Sequence, residues 1–359
     1  MTDNYCIAIA GIGAVAKMHA KSIADLPNAE LVAGSCRTED KGQAFADDYG
    51  CTYHSDTEEM LTTTEPDVLI ICTPSGAHLE PTLAAAERGI HVLCEKPLEI
   101  TTERIDAMIA ACEEAGVRLG GVFPQRYNPV IETMYTAAAG ERFGRLAVTN
   151  AYVPWWREDA YYEDSWQGTE ALDGGGAMMN QSIHTVDAVQ WLAGAGMDIP
   201  PTENPVAEVT AYVDTLAHEG DLIEVEDTAV AVLRFRDGTV GQLLGATSMY
   251  PGSLKRIQLG GRNGTVEVLE DELLTWQFRE EHQEDAEIRK TFTETTSGGG
   301  SADPMSIDYH YHRRNIEAYF DALDSNEPFM LDGPEARKAV EIIEAVYESA
   351  DRGEPIKLE

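Results

Sequence analysis

The stretch YCIAIAGIGAVA (5–16) runs from an apolar strand pattern through a glycine turn into a helical pattern, AVAKMHAKSIADL (14–26). Its spacing, G-x-G-x-x-A, is carried by Gly11, Gly13 and Ala16. In a strand–turn–helix, Gly11 permits the tight turn and Ala16 keeps helix and strand close. Gly13 lets a pyrophosphate approach the backbone N–H groups around Ile12, Ala14 and Val15 at the helix start. With 31 glycines in the chain the spacing alone carries little, so the context decides its reading.

That context is regular. ELVAGSC (30–36), DVLIIC (67–72), HVLC (91–94) and RLGGVF (118–123) read as further strands. Between them lie helical segments, TEDKGQAFADDY (38–49), HLEPTLAAAERG (78–89) and TTERIDAMIAACEEAG (101–116), with ends at Gly50, Gly89 and Gly116. Strand–helix alternation with short connections predicts an α/β domain, a doubly wound parallel sheet covered on both faces. The second strand ends in Gly34-Ser35-Cys36-Arg37-Thr38, without the acid that usually meets an NAD ribose. Ser35 and Arg37 suit a 2′-phosphate, which favours NADP. NAD remains possible if Arg37 is solvated and Glu39 or Asp40 reaches the ribose.

After Phe123 the pattern changes to alternating runs: GRLAVTNAYVPW (144–155), AEVTAYVDT (207–215), TAVAVLRF (228–235), TVGQLLGATSM (239–249), RIQLGG (256–261) and GTVEVLED (264–271). These predict an α+β domain with a large, mostly antiparallel open sheet, one face buried. ETTSGGGSADP (294–304) reads as a mobile loop, and two helices, HRRNIEAYFDALDS and GPEARKAVEIIEAVYESADRG, close the chain. At 359 residues two domains are expected, 1–125 and 126–359.

Composition narrows the function classes. The chain has 63 acidic and 26 basic residues, a formal charge of -37, and only eight lysines. Such self-repulsion is screened by salt, so the surface fits a cytosol of very high ionic strength. A polyanion of this size is a poor ligand for nucleic acid or an anionic membrane. The longest clean apolar run, Val68 to Cys72, is far too short to span a bilayer. The N-terminus moves straight into a strand pattern without a basic region, so no signal peptide is expected and the protein reads as cytoplasmic. The six cysteines (6, 36, 51, 72, 94, 112) form no C-x-x-C pair and read as reduced thiols in apolar strands. His310 and His312 lack companion ligands, and no metal is expected.

The order GIGAVA, CTPSGAH (72–78), CEKPL (94–98), DGGGAMMNQSIHTVD (173–187) resembles the Gfo/Idh/MocA family of sugar oxidoreductases over nearly the whole chain. The resemblance implies an NAD(P)-dependent dehydrogenase acting on the CH–OH groups of sugars. Thr73, Pro74, His78, Glu95 and Lys96 would lie along the cofactor. Lys96 would sit at nicotinamide and substrate, and His184 would face it from a helix that the glycines bring close. Oxidising a carbinol sends a hydride to the nicotinamide while a base takes the hydroxyl proton. Either His184 or a lysine beside a positive ring can serve. His184 is assigned the base role and Lys96 the hydroxyl-anchoring role. Asn180, four residues before His184, would share its helix face and orient the hydroxyl. Asp187 could fix the imidazole tautomer, and Pro97 permits a cis bond after Lys96.

VFPQRYNP (122–129) and VPWWREDAYYEDSWQGTEALDGGG (153–176) place aromatic, arginine and amide groups ahead of the catalytic helix, as suits a sugar ring. This part is most similar to family members that oxidise nucleotide-linked N-acetylhexosamines or their uronates. Trp166 belongs to W-x-G-T, and Gln167 stands where an arginine is expected. Arg126 and Arg157 are candidates for a carboxylate or phosphate. A homo-oligomer, dimer or tetramer, through the second-domain sheet is expected. Two alternatives from the same fold are an NAD-dependent glycoside hydrolase and a non-catalytic dinucleotide sensor.

Overall fold

A computed structural model describes residues 4–293 and 309–358. The described residues fall into two units, one drawn from 1–124 and 308–337, the other from 125–307 and 338–359. The segment expected as a mobile loop (294–304) lies outside the described residues.

The first unit holds six strands: β1 (Tyr5–Ala10), β2 (Ala29–Ser35), β3 (Thr52–His54), β4 (Val68–Ile71), β5 (His91–Cys94) and β6 (Leu119–Gly121). They form one sheet in the order β3-β2-β1-β4-β5-β6, every pair parallel. Between the strands run helices α1 (Ala14–Ala24), α2 (Glu39–Tyr49), α3 (Thr57–Thr64), α4 (Leu79–Ala86) and α5 (Thr102–Ala115). Ile7–Ala10 and Val68–Ile71 are fully buried, which is why these strands read as continuous apolar runs. The doubly wound sheet is as the sequence predicts. β3 had no sequence signal, being three residues without alternation, and β6 is shorter than the run expected at 118–123.

The second unit contains α6 (Pro129–Ala139), β7 (Leu146–Pro154), the short α7 (Glu170–Asp173), α8 (Ile183–Gly194) and β8 (Val206–Asp214). Strands β9 (Thr228–Phe235), β10 (Val240–Ala246), β11 (Arg256–Gly261), β12 (Gly264–Leu269) and β13 (Glu272–Phe278) follow, then α9 (Asp285–Thr293). With β14 (Ile356–Lys357) they build an eight-stranded sheet, β13-β12-β11-β7-β10-β9-β8-β14. Only β7 and β10 pair in parallel, so the sheet is mostly antiparallel, as expected. Alternation puts Ala151, Val153, Ala231, Leu233, Leu243, Ile257 and Leu259 in the core. On the opposite face Val148, Tyr212, Val230, Val232, Val240 and Leu274 remain exposed.

Against the expected domains 1–125 and 126–359, the contacts divide the chain at 124/125 and set 308–337 with the first unit and 338–359 with the second. Helix α10 (Tyr309–Ser325) and the start of α11 (Gly333–Arg352) belong to the first unit. The reason lies in contacts of α10 with β1 and with the chain around β5 and β6. The Tyr319 hydroxyl lies 2.9 Å from the carbonyls of Val92 and Arg118, the Asn315 amide oxygen accepts from Phe123 N–H at 3.0 Å, and Phe320 stacks on Tyr5 at 4.5 Å. A two-domain chain whose last helices return to the first core leaves no mark in composition. Among the described residues no helix is long and apolar enough to cross a membrane.

The two glycines of the first turn are required for different reasons. Gly11 has φ +92°, and a Cβ there would stand 2.5 Å from Thr73 N and 2.6 Å from the Cys72 carbonyl carbon. Gly13, at φ -97°, caps α1 in a conformation any residue adopts, and a Cβ there would meet nothing within 4 Å. Gly11→Ala should therefore cost on the order of 1–3 kcal/mol of stability. Gly13→Ser, which installs a good N-cap, should stay within about 0.5 kcal/mol of the unmutated protein. Urea unfolding measures both, and equal losses would contradict this division of roles.

Candidate active site

In the first unit the expected residues leave the carboxyl ends of four neighbouring parallel strands. β2 delivers Ser35 and Arg37, β1 the Gly11–Val15 turn, β4 Thr73 and Pro74, and β5 Glu95 and Lys96. This edge is where doubly wound sheets bind ligands, next to the point where strand order reverses, here between β1 and β4. The start of α1 fits a pyrophosphate. Gly13 gives it no side-chain cap and its first turn has no acid, so its leading N–H groups and the positive end of its dipole face the open space beside Gly13. Ile12 is buried, whereas Gly11, Gly13, Ala14 and Val15 keep exposure.

Other members of the expected cofactor set are buried and hydrogen-bonded within the first unit. Ser35 is buried with its hydroxyl on Thr57 Oγ1 at 2.9 Å, while its carbonyl accepts from Gly11 N–H. That leaves Arg37, exposed and, among the described residues, without an ion pair or hydrogen bond. His78 is buried, Nε2 lying 2.9 Å from the Thr73 carbonyl and Nδ1 2.9 Å from the Pro97 carbonyl. It ties the β4 and β5 loops together and has no ring nitrogen left for a cofactor. Glu95 also turns inward, 2.7 Å from His19 Nε2 of α1, with His312 Nε2 of α10 at 3.9 Å. Burial would raise its carboxyl, but the His19 hydrogen bond and charge, His312 and Lys96 bring it down to about 2. Lys96 is the part of the E-K-P motif that keeps exposure, and its bond to Pro97 is cis.

The second unit explains two of the three glycines. Side chains at Gly175 and Gly176 would collide with the Tyr347 hydroxyl and the Glu226 carbonyl. Within this unit the triplet allows a close approach to α11 and to the segment before β9. Glu226, buried, accepts from Gly176 N–H and Met178 N–H at 2.7 Å each and from the Tyr347 hydroxyl at 3.0 Å. Burial pushes its carboxyl up and these donors pull it back. The chain then makes a π-helical turn over Ala177–Ser182 before α8 begins. Ordinary i,i+4 spacing from Asn180 to His184 therefore does not apply. Among residues 175–190, Asn180 and His184 alone keep exposure.

Two arginines singled out in the sequence lie inside the second unit. Arg126 is fully buried, and its Nε and Nη2 donate to the two oxygens of Asp187 at 2.8 and 2.6 Å, with the guanidinium over Trp191. A bidentate pair with no exposure is an internal strut rather than a receptor for a substrate anion, and it commits Asp187 to the arginine. Arg157 is nearly buried between the Trp155 and Tyr161 rings and donates to Gln181 Oε1 at 2.8 Å. Gln181 in turn donates to the Tyr161 hydroxyl at 2.9 Å. Trp166 is half-buried, its carbonyl accepting from Thr169 Oγ1 at 2.7 Å. Gln167 is hydrogen-bonded to Ser165. Sequence reasoning missed Asp173, Glu226, Tyr347 and His19. Of these only Asp173, leading the glycines, stood inside a motif. Among the described residues no group of three or more His, Cys, Asp or Glu could hold a metal.

Comparison with known proteins agrees with this architecture. The D-glucoside 3-dehydrogenase of Escherichia coli K12 is 26% identical over 98% of this chain and 97% of its own length. The D-xylose 1-dehydrogenase (NADP(+)) 2 of Haloferax volcanii is 26% identical over 92% of each. The structure of the WlbA dehydrogenase from Bordetella pertussis, in complex with NADH and UDP-GlcNAcA, superposes with a TM-score of 0.88. It is 32% identical and covers 99% of this chain and 98% of that one. Residues 6–122 match the NAD-binding Rossmann-fold domain of the Gfo/Idh/MocA oxidoreductases and residues 139–358 their C-terminal alpha/beta domain, so the chain belongs to that family.

Proposed function

We propose that this protein is an NAD(P)-dependent dehydrogenase that oxidises a carbinol of a sugar, with a nucleotide-linked N-acetylhexosamine or its uronate as the preferred class. The observation that carries the catalytic reading is the exposure of Asn180 and His184 in an otherwise buried run. A packed helix would have little use for a histidine and an amide as its accessible positions. Bound nicotinamide supplies the hydride acceptor. The chain supplies the rest. His184 takes the hydroxyl proton on its imidazole, Lys96 donates a hydrogen bond to the same oxygen, and Asn180 orients the hydroxyl. Arg157, nearly buried and hydrogen-bonded to Gln181, is the arginine assigned to a substrate anion, and the neutral Gln167 makes a neutral sugar the second arm of the test.

Lys96→Ala and His184→Ala should each lower turnover by at least about a hundredfold, whereas His184→Ala should still bind cofactor. The measurement is net reduction of added NAD or NADP with a panel of free and nucleotide-linked sugars. Net reduction also separates a dehydrogenase from a hydrolase that returns its hydride and from a sensor. Near-normal turnover in either variant removes the assignment. Gly13→Ser, harmless to stability, should weaken NADH binding by more than about tenfold if the pyrophosphate lies at α1.

For the cofactor, NADP is favoured on Arg37. Arg37→Ala should weaken NADP by roughly 1.5–3 kcal/mol and leave NAD nearly unchanged, since only NADP offers a phosphate to the guanidinium. Equal calorimetric affinities in the unmutated protein would count against this preference.

The exposed face of the eight-stranded sheet, with its valines and Tyr212, is assigned to a homo-oligomer, because monomers rarely leave so much contiguous apolar surface in water. The charge of -37 is assigned to a high-salt cytosol. The Debye length falls from about 10 Å at 0.1 M to about 3 Å at 1 M, so carboxylate repulsion is relieved over that range. Mass and melting temperature measured from 0.1 to 2 M potassium chloride should show a species heavier than the 39.2 kDa chain and a rising melting temperature. A monomer throughout, or a flat melting curve, overturns the respective reading.

A further inference from the structure

We propose that Asp173 is the positioning residue of this active site: its buried carboxylate fixes the Asn180 side chain so that Oδ1, an acceptor, and not the NH2 group, is presented to the reacting hydroxyl. The inference rests on the assignment of Asn180 above. Asp173 is fully buried at the end of α7. One of its oxygens accepts from the Gly168 backbone N–H at 2.8 Å and the other from Asn180 Nδ2.

An ionised carboxylate only accepts, so the Asn180 atom facing it must be the NH2 group. The oxygen–nitrogen ambiguity of an asparagine is thereby settled by its neighbour. The opposite side of the amide is Oδ1, made more negative by the charge behind it. Asn180 thus acts as a neutral acceptor backed by a carboxylate, and the negative charge stands one side chain away from the hydroxyl. The same carboxylate joins two separate motifs. Gly168 belongs to W-Q-G-T and Asn180 to N-Q-x-x-H, and the Asp of D-G-G-G connects them.

The donor pattern makes a sharp test possible. In Asp173→Asn, the new amide must still accept from Gly168 N–H, so its own NH2 group turns toward Asn180. Two NH2 groups cannot face each other, and Asn180 has to flip, offering a donor where an acceptor was. In Asn180→Asp, two carboxylates meet and one must hold a proton. In the double exchange Asp173→Asn/Asn180→Asp, the amide at position 173 accepts from Gly168 N–H and donates to the carboxylate at position 180, which again presents an acceptor.

With the sugar found in the screen above, Asp173→Asn should lose at least about tenfold in kcat with the KM for cofactor unchanged. Asn180→Asp should show turnover that falls as pH rises, a dependence the unmutated protein lacks at that position. The double exchange should return to within about threefold of the unmutated kcat. A side-chain NH2 resonance lost in Asn180→Asp should also shift in Asp173→Asn, which reads the pair without turnover. The proposal is overturned if Asp173→Asn keeps kcat within about twofold, if the double exchange is no better than Asp173→Asn while folded, or if the resonance does not move. His184→Ala in the same series separates the two readings. An active His184→Ala removes the site assignment, while an inactive one beside a normal Asp173→Asn removes the role of Asp173 alone.

Discussion

The carboxylate of Glu226 holds the segment on which the chemistry depends. It takes the N–H groups of Gly176 and Met178 and the hydroxyl of Tyr347, all inside the second unit. A helix start leaves backbone donors without partners, and here a buried acid from fifty residues away accepts from them where a capping serine would normally stand. The glycines are the steric condition for that contact. They let the backbone close on Glu226 and Tyr347, and the wide turn that follows brings out Asn180 and His184.

The same logic recurs throughout the molecule. A charge removed from water requires a partner, and the partner decides what the residue can do. Arg126 and Asp187 neutralise one another in the core, so neither is available to a ligand. Glu95 is held by His19, and His78 is occupied by two loop carbonyls. These residues build the platform from which Lys96 emerges. Arg37, by contrast, stays exposed and unbonded among the described residues, in a chain with a large excess of acids. The residues that remain accessible and those that are consumed internally are of the same chemical types.

Much of this was legible in advance. Strand–helix alternation, the GIGAVA turn and the E-K-P and glycine–histidine motifs are local patterns. The alternation and the glycine turn follow from backbone sterics and hydrophobic period over ten to twenty residues, while the E-K-P and glycine–histidine motifs are legible through the resemblance to the family. The alternating runs after Phe123 likewise announced a sheet with one covered face. The reading missed β3, too short to show a period. It missed the return of α10 to the first core, since a helix carries no mark of which hydrophobic surface it will cover.

Taken alone, then, the sequence determined the two classes of sheet, the order of the motifs and the types of residue at the candidate site. Those depend on interactions among near neighbours in the chain. Only the tertiary structure decided which of those residues face outward and which are spent on one another. The deciding pairs join distant positions: His19 with Glu95 across 76 residues, Arg126 with Asp187 across 61, and Gly176 with Glu226 across 50. A buried charge is satisfied by whatever the fold sets beside it, and that neighbour is a property of packing, which no local pattern encodes.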